Sequence, residues 1–180
     1  MTDRRTEIIE AGIAILREQG LSGFTQPRVA QRAGMRQSHL TYYFPTRLDL
    51  LAAVARTAID NQVAALDATL DGSTTTKAAR SIAGVVVRSE NTRVLLALVD
   101  GADQEPVLRE LFRELSQFMI ERCKGLLGQL KMTPSRDGAM LVHALAVGLA
   151  VLNLAQDLPD GEARTTAVLK SALNLLAARE

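Results

Sequence analysis

Five hydrogen-bonding side chains, Gln37, Ser38, His39, Thr41 and Tyr42, crowd into residues 37–42 with no acid and no lysine among them. An ordinary solvated helix face mixes Glu with Lys; this one offers amide, hydroxyl, imidazole and phenol groups. Glutamine suits bidentate pairing with adenine, and Ser, Thr and Tyr suit phosphates and mixed base edges. Leu40 and Phe44 lie one helical turn apart. A 3.6-residue period that turns those two inward turns Ser38, Thr41 and Tyr42 outward, with Gln37 and His39 beside them. The chemistry such a set performs is recognition of a nucleic acid by hydrogen bonding. On the motif alone, an αα-hairpin within an ordinary helical bundle stands as the alternative.

Two short helices are needed to hold that set, and residues 25–47 supply them. Thr25 reads as an N-cap, and Pro27 falls in the first turn, where a missing N–H costs little. Val29, Ala30 and Ala33 give a small apolar face. Gly34 ends the helix as a residue able to take positive φ, a second helix starts near Arg36, and Pro45 ends that one. Two helices with a glycine turn between them form a helix-turn-helix, whose second helix is short enough to enter a major groove. Arg28 stands three residues after Thr25, where a carboxylate would complete a capping box, so it is mildly unfavourable for the helix itself. Beside Gln26, a phosphate or base contact offsets that cost; an indifferent exposed arginine is the equal alternative.

The same stretch resembles the TetR family of bacterial transcriptional regulators. The residues that carry the resemblance are Gln19-Gly20, Thr25, Val29-Ala30, Arg32-Ala33-Gly34, Leu40, Tyr42-Tyr43-Phe44 and Arg47, and it is close over residues 4–52. It departs at residues 35–41, Met-Arg-Gln-Ser-His-Leu-Thr, where the commoner pattern is Val-Ser-Lys-Gly-Thr-Leu-Tyr. That departure falls at the reading end of the second helix, so the operator sequence is this chain's own. The resemblance implies an all-α fold of about nine helices, with a three-helix DNA-binding domain over residues 1–47 and an effector-binding and dimerisation bundle over residues 48–180. It also implies a homodimeric repressor, released by a small molecule, acting on double-stranded DNA with a pseudo-palindromic operator. Arg47 matches the position where the family usually has a phosphate-contacting lysine; arginine keeps the charge and binds phosphate bidentately. The candidate DNA-binding residues are Thr25, Gln26, Arg28, Arg36, Gln37, Ser38, His39, Thr41, Tyr42, Tyr43 and Arg47.

Composition sets the bounds. The 180 residues are 47% hydrophobic but only 3% aromatic, so the apolar side chains are mainly Ala, Leu and Val, which favours helices packed on helices. Net charge is +1, yet residues 1–56 hold eight arginines and no lysine against five acids. This is a modest electrostatic footprint at the DNA-binding end. The single cysteine, Cys123, excludes an internal disulfide and a cysteine-based zinc cluster, and fits a reducing cytoplasm. The N-terminus lacks the apolar run of a secretion signal. No phosphate loop, HExxH or Ser/His/Asp arrangement is present, so neither an enzyme nor a cofactor or metal is expected. A helical protein-interaction module without DNA binding is the competing function.

Along the rest of the chain, residues 4–19 form an amphipathic helix with Ile9, Gly12, Ile13 and Leu16 on one face. Gly20 caps it, and Leu21 and Phe24 pack under the next helix. A long helix follows over residues 48–70, with Leu51, Ala55, Ala58, Val63 and Leu66 apolar, and then a loop at residues 71–76. Helices are expected at 77–88, 91–102 and 107–130, the last turning Leu108, Leu111, Leu115, Phe118, Met119 and Leu126 inward. Thr133-Pro134 reads as a cap followed by an N1 proline. Residues 158–161 break the chain before a last helix at 162–178. Residues 139–155 are apolar nearly all round but short for a bilayer, bounded by Asp137 and Asp157. A helix apolar on every side is buried on every side, here by its own subunit and a second copy. Val147, Leu149, Ala150, Leu169 and Leu173 are the candidate interface. Phe112, Phe118, Met119, Met140 and His143 are the candidate lining of an apolar effector pocket, with ordinary core packing as the alternative.

Overall fold

The computed structural model describes residues 3–69, 74–157 and 159–178. Among them are nine α-helices and no strand: α1 Arg4–Gly23, α2 Gln26–Arg32, α3 Gln37–Tyr43, α4 Arg47–Thr69, α5 Thr75–Val86, α6 Ser89–Gln104, α7 Pro106–Gln129, α8 Arg136–Gln156 and α9 Gly161–Ala177. The all-α class read from the sequence holds. The loop expected at 71–76 lies outside the described residues at 71–73, as do Leu158 in the second break and the side chain of Leu66. The chain divides into two compact units, Met1–Asn61 with Arg93–Arg113, and Gln62–Thr92 with Glu114–Glu180.

In the first unit α1 buries Ile8, Ile9, Ile13 and Leu16. Its regular run ends at Gly20 (φ 66°, ψ −164°), as the sequence suggested, and one more turn carries on to Gly23. A Cβ on Gly12 would lie 2.6 Å from Val54 Cγ2 and 3.3 Å from the Phe24 ring. Helices α1 and α4 therefore approach as closely as they do only because that residue has no side chain. Phe24, Val29, Leu40, Leu50 and Val54 are fully buried around this contact. The start of α4 carries a capping box that the sequence reading passed over: Thr46 N–H and Oγ1 donate to Asp49 Oδ2 at 3.0 and 2.7 Å, and Asp49 N–H donates to Thr46 Oγ1 at 3.0 Å. Arg109 donates to the carbonyls of Ala102 and Asp103 at 3.0 Å each, closing the C-terminal end of α6.

The second unit packs α5, α8 and α9 together. Its core holds Ala78, Ile82, Val86, Leu127, Val142, Leu149, Leu169 and Leu173. The Thr74 hydroxyl caps α5 by accepting from Lys77 N–H at 3.2 Å. Helix α8 begins later than Thr133-Pro134 suggested. Ser135 is its N-cap, accepting from Gly138 N–H at 3.1 Å, because its hydroxyl satisfies a free amide that Pro134 has no means to serve. Asn153 pins α8 to α9, donating to Leu149 O and Thr165 Oγ1 at 2.8 Å and accepting from Arg164 at 3.2 Å. Arg122 of α7 pairs with Asp67 of α4.

Helix α8 is long and apolar enough to cross a membrane, with mean hydropathy 1.9, yet only 28% of its apolar window is buried inside the chain. Leu149, Ala150, Leu169 and Leu173, expected at a dimer interface, are instead buried in the core of their own protomer, and Val147 is half-buried. The physical reason is rotational: they lie on the faces that α8 and α9 turn to that core. The outward face of α8 carries Met140, Leu141, Ala144, Gly148 and Leu152, and that of α9 Ala167, Val168, Ser171 and Leu175. Both rows run at the three-to-four spacing of a helix stripe.

Candidate nucleic-acid interface

The turn from α2 into α3 is built by Gly34 at φ 67°, where a Cβ would meet nothing within 4 Å. Backbone conformation, not space, requires glycine there. Arg36 is the N-cap residue of α3 and offers no side-chain cap. Leu40 (0% exposed) and Phe44 (3%) face inward. Gln37, Ser38, His39 and Tyr42 are exposed, as the period predicted, and so is Arg36; Thr41, also expected outward, is half-buried, its hydroxyl donating to Ser38 O at 3.1 Å. Tyr42 is 83% exposed and meets Tyr43 edge-on, the ring centroids 5.3 Å apart. The free face of α3 therefore carries hydrogen-bonding groups and one arginine, with no carboxylate.

Around it the structure uses several candidate residues to hold the helices in place. Thr25 takes the N-cap position of α2 (φ −129°, ψ 146°) without a side-chain cap bond. Gln26 donates its side-chain amide to Phe44 O at 2.9 Å, tying the start of α2 to the end of α3. Arg28, exposed, donates to Gln19 Oε1 at 3.3 Å. Arg47 donates Nε to Phe24 O at 2.8 Å and Nη2 to Leu21 O at 3.4 Å. The guanidinium read as a phosphate contact thus clamps the α1–α2 link through two of its nitrogens, while the residue as a whole stays exposed. Arg5 stacks 5.2 Å from the Phe44 ring centroid, a contact nothing in the sequence signalled. Glu18 takes Arg32 bidentately at 2.6 Å on both oxygens, and its own carbonyl accepts from Arg93 at 3.1 Å. Ile15, Gln19, Arg28, Gln31 and Arg32 line a shallow depression of about 480 Å³ beside α2.

The effector candidates are divided between the two units. Phe112 lies in the first unit and is half-buried. In the second, Phe118 and Met140 are 44% and 43% exposed, so the expectation that Phe118 points inward is corrected: it sits on the solvent side of α7. Met119 and His143 are half-buried, and burial lowers the His143 pKa from its ordinary 6.5. A cavity of about 330 Å³ in the same unit is lined by other residues, among them Leu127, Met132, Asp137, Leu141 and Leu176. Among the described residues no cluster of His, Cys, Asp and Glu is fit to hold a metal ion.

Residues 8–54 match the family described as bacterial regulatory proteins, tetR family. The resemblance drawn from residues 4–52 is thereby supported independently over the whole helix-turn-helix. No curated protein sequence matches the chain. A transcriptional regulator from Rhodococcus sp. Rha1 superposes with a TM-score of 0.83 at 21% identity, covering 96% of this chain and 95% of its own. A TetR-family transcriptional regulator from Rhodococcus sp. gives 0.80 at 20% identity, covering 98% and 99%. A transcriptional regulator from Saccharomonospora viridis in complex with choline gives 0.75 at 16% identity, covering 94% and 95%. The nine helices among the described residues share their fold with these solved structures over nearly the whole chain.

Proposed function

We propose that this chain is a homodimeric, sequence-specific DNA-binding transcriptional regulator of the bacterial cytoplasm, a repressor released by a small apolar molecule. The single observation that carries the reading is the face of α3: exposed, free of carboxylates, and set by Gly34 within a segment that matches the tetR family. Residues 1–47 do the reading, and residues 48–180 supply the effector site and the pairing surface. Gln37 is the principal base reader, Tyr42, Ser38 and Arg36 bind phosphates or base edges, and Arg47 adds charge with the donors its clamp leaves free.

Pairing covers the outward stripe of α8 and α9 with its own copy, which accounts for a helix so apolar and so little buried within one chain. The choline held by the Saccharomonospora protein is not carried over. Of this chain's six aromatics only Phe112 and Phe118 lie outside residues 24–44, too few ring faces to cage a quaternary ammonium.

The test is a titration of the protein with duplex DNA from upstream of its own gene, at two salt concentrations. Saturable binding with affinity falling steeply as salt rises supports the regulator. A folded protein with no preference for any DNA would leave the interaction module standing.

A further inference from the structure

We propose that Arg93 of α6 is a positioning residue for the recognition helix α3, so that a segment remote in sequence completes the DNA-binding unit. The inference rests on the DNA-binding reading above. Its basis is that Glu18 is gripped twice. Arg93 Nη1 donates to the Glu18 carbonyl at 3.1 Å, joining positions 75 residues apart, while the Glu18 carboxylate takes both terminal nitrogens of Arg32 at 2.6 Å. Arg32 is the last residue of α2, and Gly34, two positions on, makes the turn into α3. Glu18 itself stands two residues before Gly20, where the backbone leaves helical geometry.

A bidentate carboxylate–guanidinium pair fixes the mutual orientation of its two groups, but it orients α2 only as firmly as the backbone bearing the carboxylate is held. Arg93 holds that backbone, at the point where α1 stops being a regular helix. Side-chain contacts thus run from Arg93 of α6 through Glu18 to Arg32 at the end of α2, and the backbone turn at Gly34 carries that hold on toward α3. All four belong to one compact unit, which takes up α6 from Arg93 onward. Arg93 needs no contact with DNA in this scheme. It narrows the orientations of α3, and base-edge bonds are more sensitive to orientation than contacts with the uniform phosphate backbone.

The experiment uses the full chain with Arg93→Ala and Arg93→Lys. Affinity is measured for the upstream duplex and for an unrelated duplex across a salt series, with thermal melting in parallel. Losing one exposed hydrogen bond predicts about 3- to 10-fold weaker binding to the upstream duplex. Binding to the unrelated duplex stays the same, as does the slope of affinity against salt. Lysine, which keeps the charge and a donor at a shorter reach, recovers part of the loss. Equal upstream affinity for wild type and Arg93→Ala overturns the inference alone. So does a salt slope smaller by about one, which would make Arg93 a phosphate contact. Equal weakening on both duplexes with a lowered melting point, unrecovered by lysine, overturns it as general destabilisation. Wild type that binds no DNA overturns the reading beneath it, and the inference with it.

Discussion

Gln37 and Arg47 show how differently two residues of one motif depend on their surroundings. Gln37 is exposed in the first turn of α3. Gln37→Ala should relax discrimination at one base pair by about 1–3 kcal/mol, with melting unchanged; competition binding against single-base operator variants measures it. Arg47 holds the Phe24 and Leu21 carbonyls, so Arg47→Ala should lower the melting point as well as weaken binding to every DNA sequence. A fall in affinity with no loss of stability would show that the clamp contributes nothing. The outward residues of α3 were legible because helical period alone decides them. The partners of Gln26 and Arg47 were not, since both are carbonyls about twenty residues away, fixed only by the folded path of the chain. Cys123 is a simpler case: burial pushes its thiol from 9.0 up to about 11. Only the thiolate reacts, so iodoacetamide should label it slowly at pH 8 until the protein is unfolded. The sign for stability follows: the advantage of keeping the thiol protonated is complete below pH 9 and is lost as pH rises through about 11.

At the scale of elements, the glycine turn was the most legible feature, because only glycine takes φ 67° without strain. Gly34→Ala should cost about 1–2 kcal/mol from crowding of the new Cβ against its own backbone, with no added clash against the rest of the chain, since the space there is open. Chemical denaturation of the two proteins measures it, and an unchanged midpoint would mean the turn relaxes to another conformation. Helix starts were less legible. Thr133-Pro134 read as the start, but the N-cap is Ser135, two residues past Thr133, whose hydroxyl reaches Gly138 N–H. The Thr46–Asp49 box was readable in principle, being Thr-x-x-Asp ahead of an apolar run. It went unread beside Pro45, a more conspicuous boundary.

For the molecule as a whole, the sequence showed that α8 must be covered on every side but not which residues face home. Period alone leaves the rotation of an all-apolar helix undetermined, and the polar pin through Asn153, Thr165 and Arg164 emerges only when α8 and α9 are laid together. The choice of variant follows from the observed faces. Leu152→Arg places a charge on a residue 51% exposed in the single chain, so it should yield folded monomers in sedimentation. Ala150→Arg should unfold the protomer instead. A well-folded Leu152→Arg dimer would put the interface elsewhere. A pair related by a two-fold axis reads a pseudo-palindrome whose half-sites lie about 34–36 Å apart. An effector that lowers operator affinity tens-fold must itself bind tens-fold more weakly to the operator complex. Calorimetry with and without operator DNA checks this, and equal affinities in the two titrations would exclude the coupling.

The outward stripe of α8 and α9 has a consequence for temperature. Its residues are Met, Leu, Val, Ala and Gly, with Ser171 alone among them bearing a hydrogen-bonding side chain. An association built from such surface draws on the release of water, a contribution that weakens on cooling. The proposed pair is therefore loosest in the cold. Dilute protein kept in a cold room would accumulate single protomers with bare apolar helices, prone to stick to vessel walls and to each other. Warming the same solution should restore the pair and its affinity for DNA.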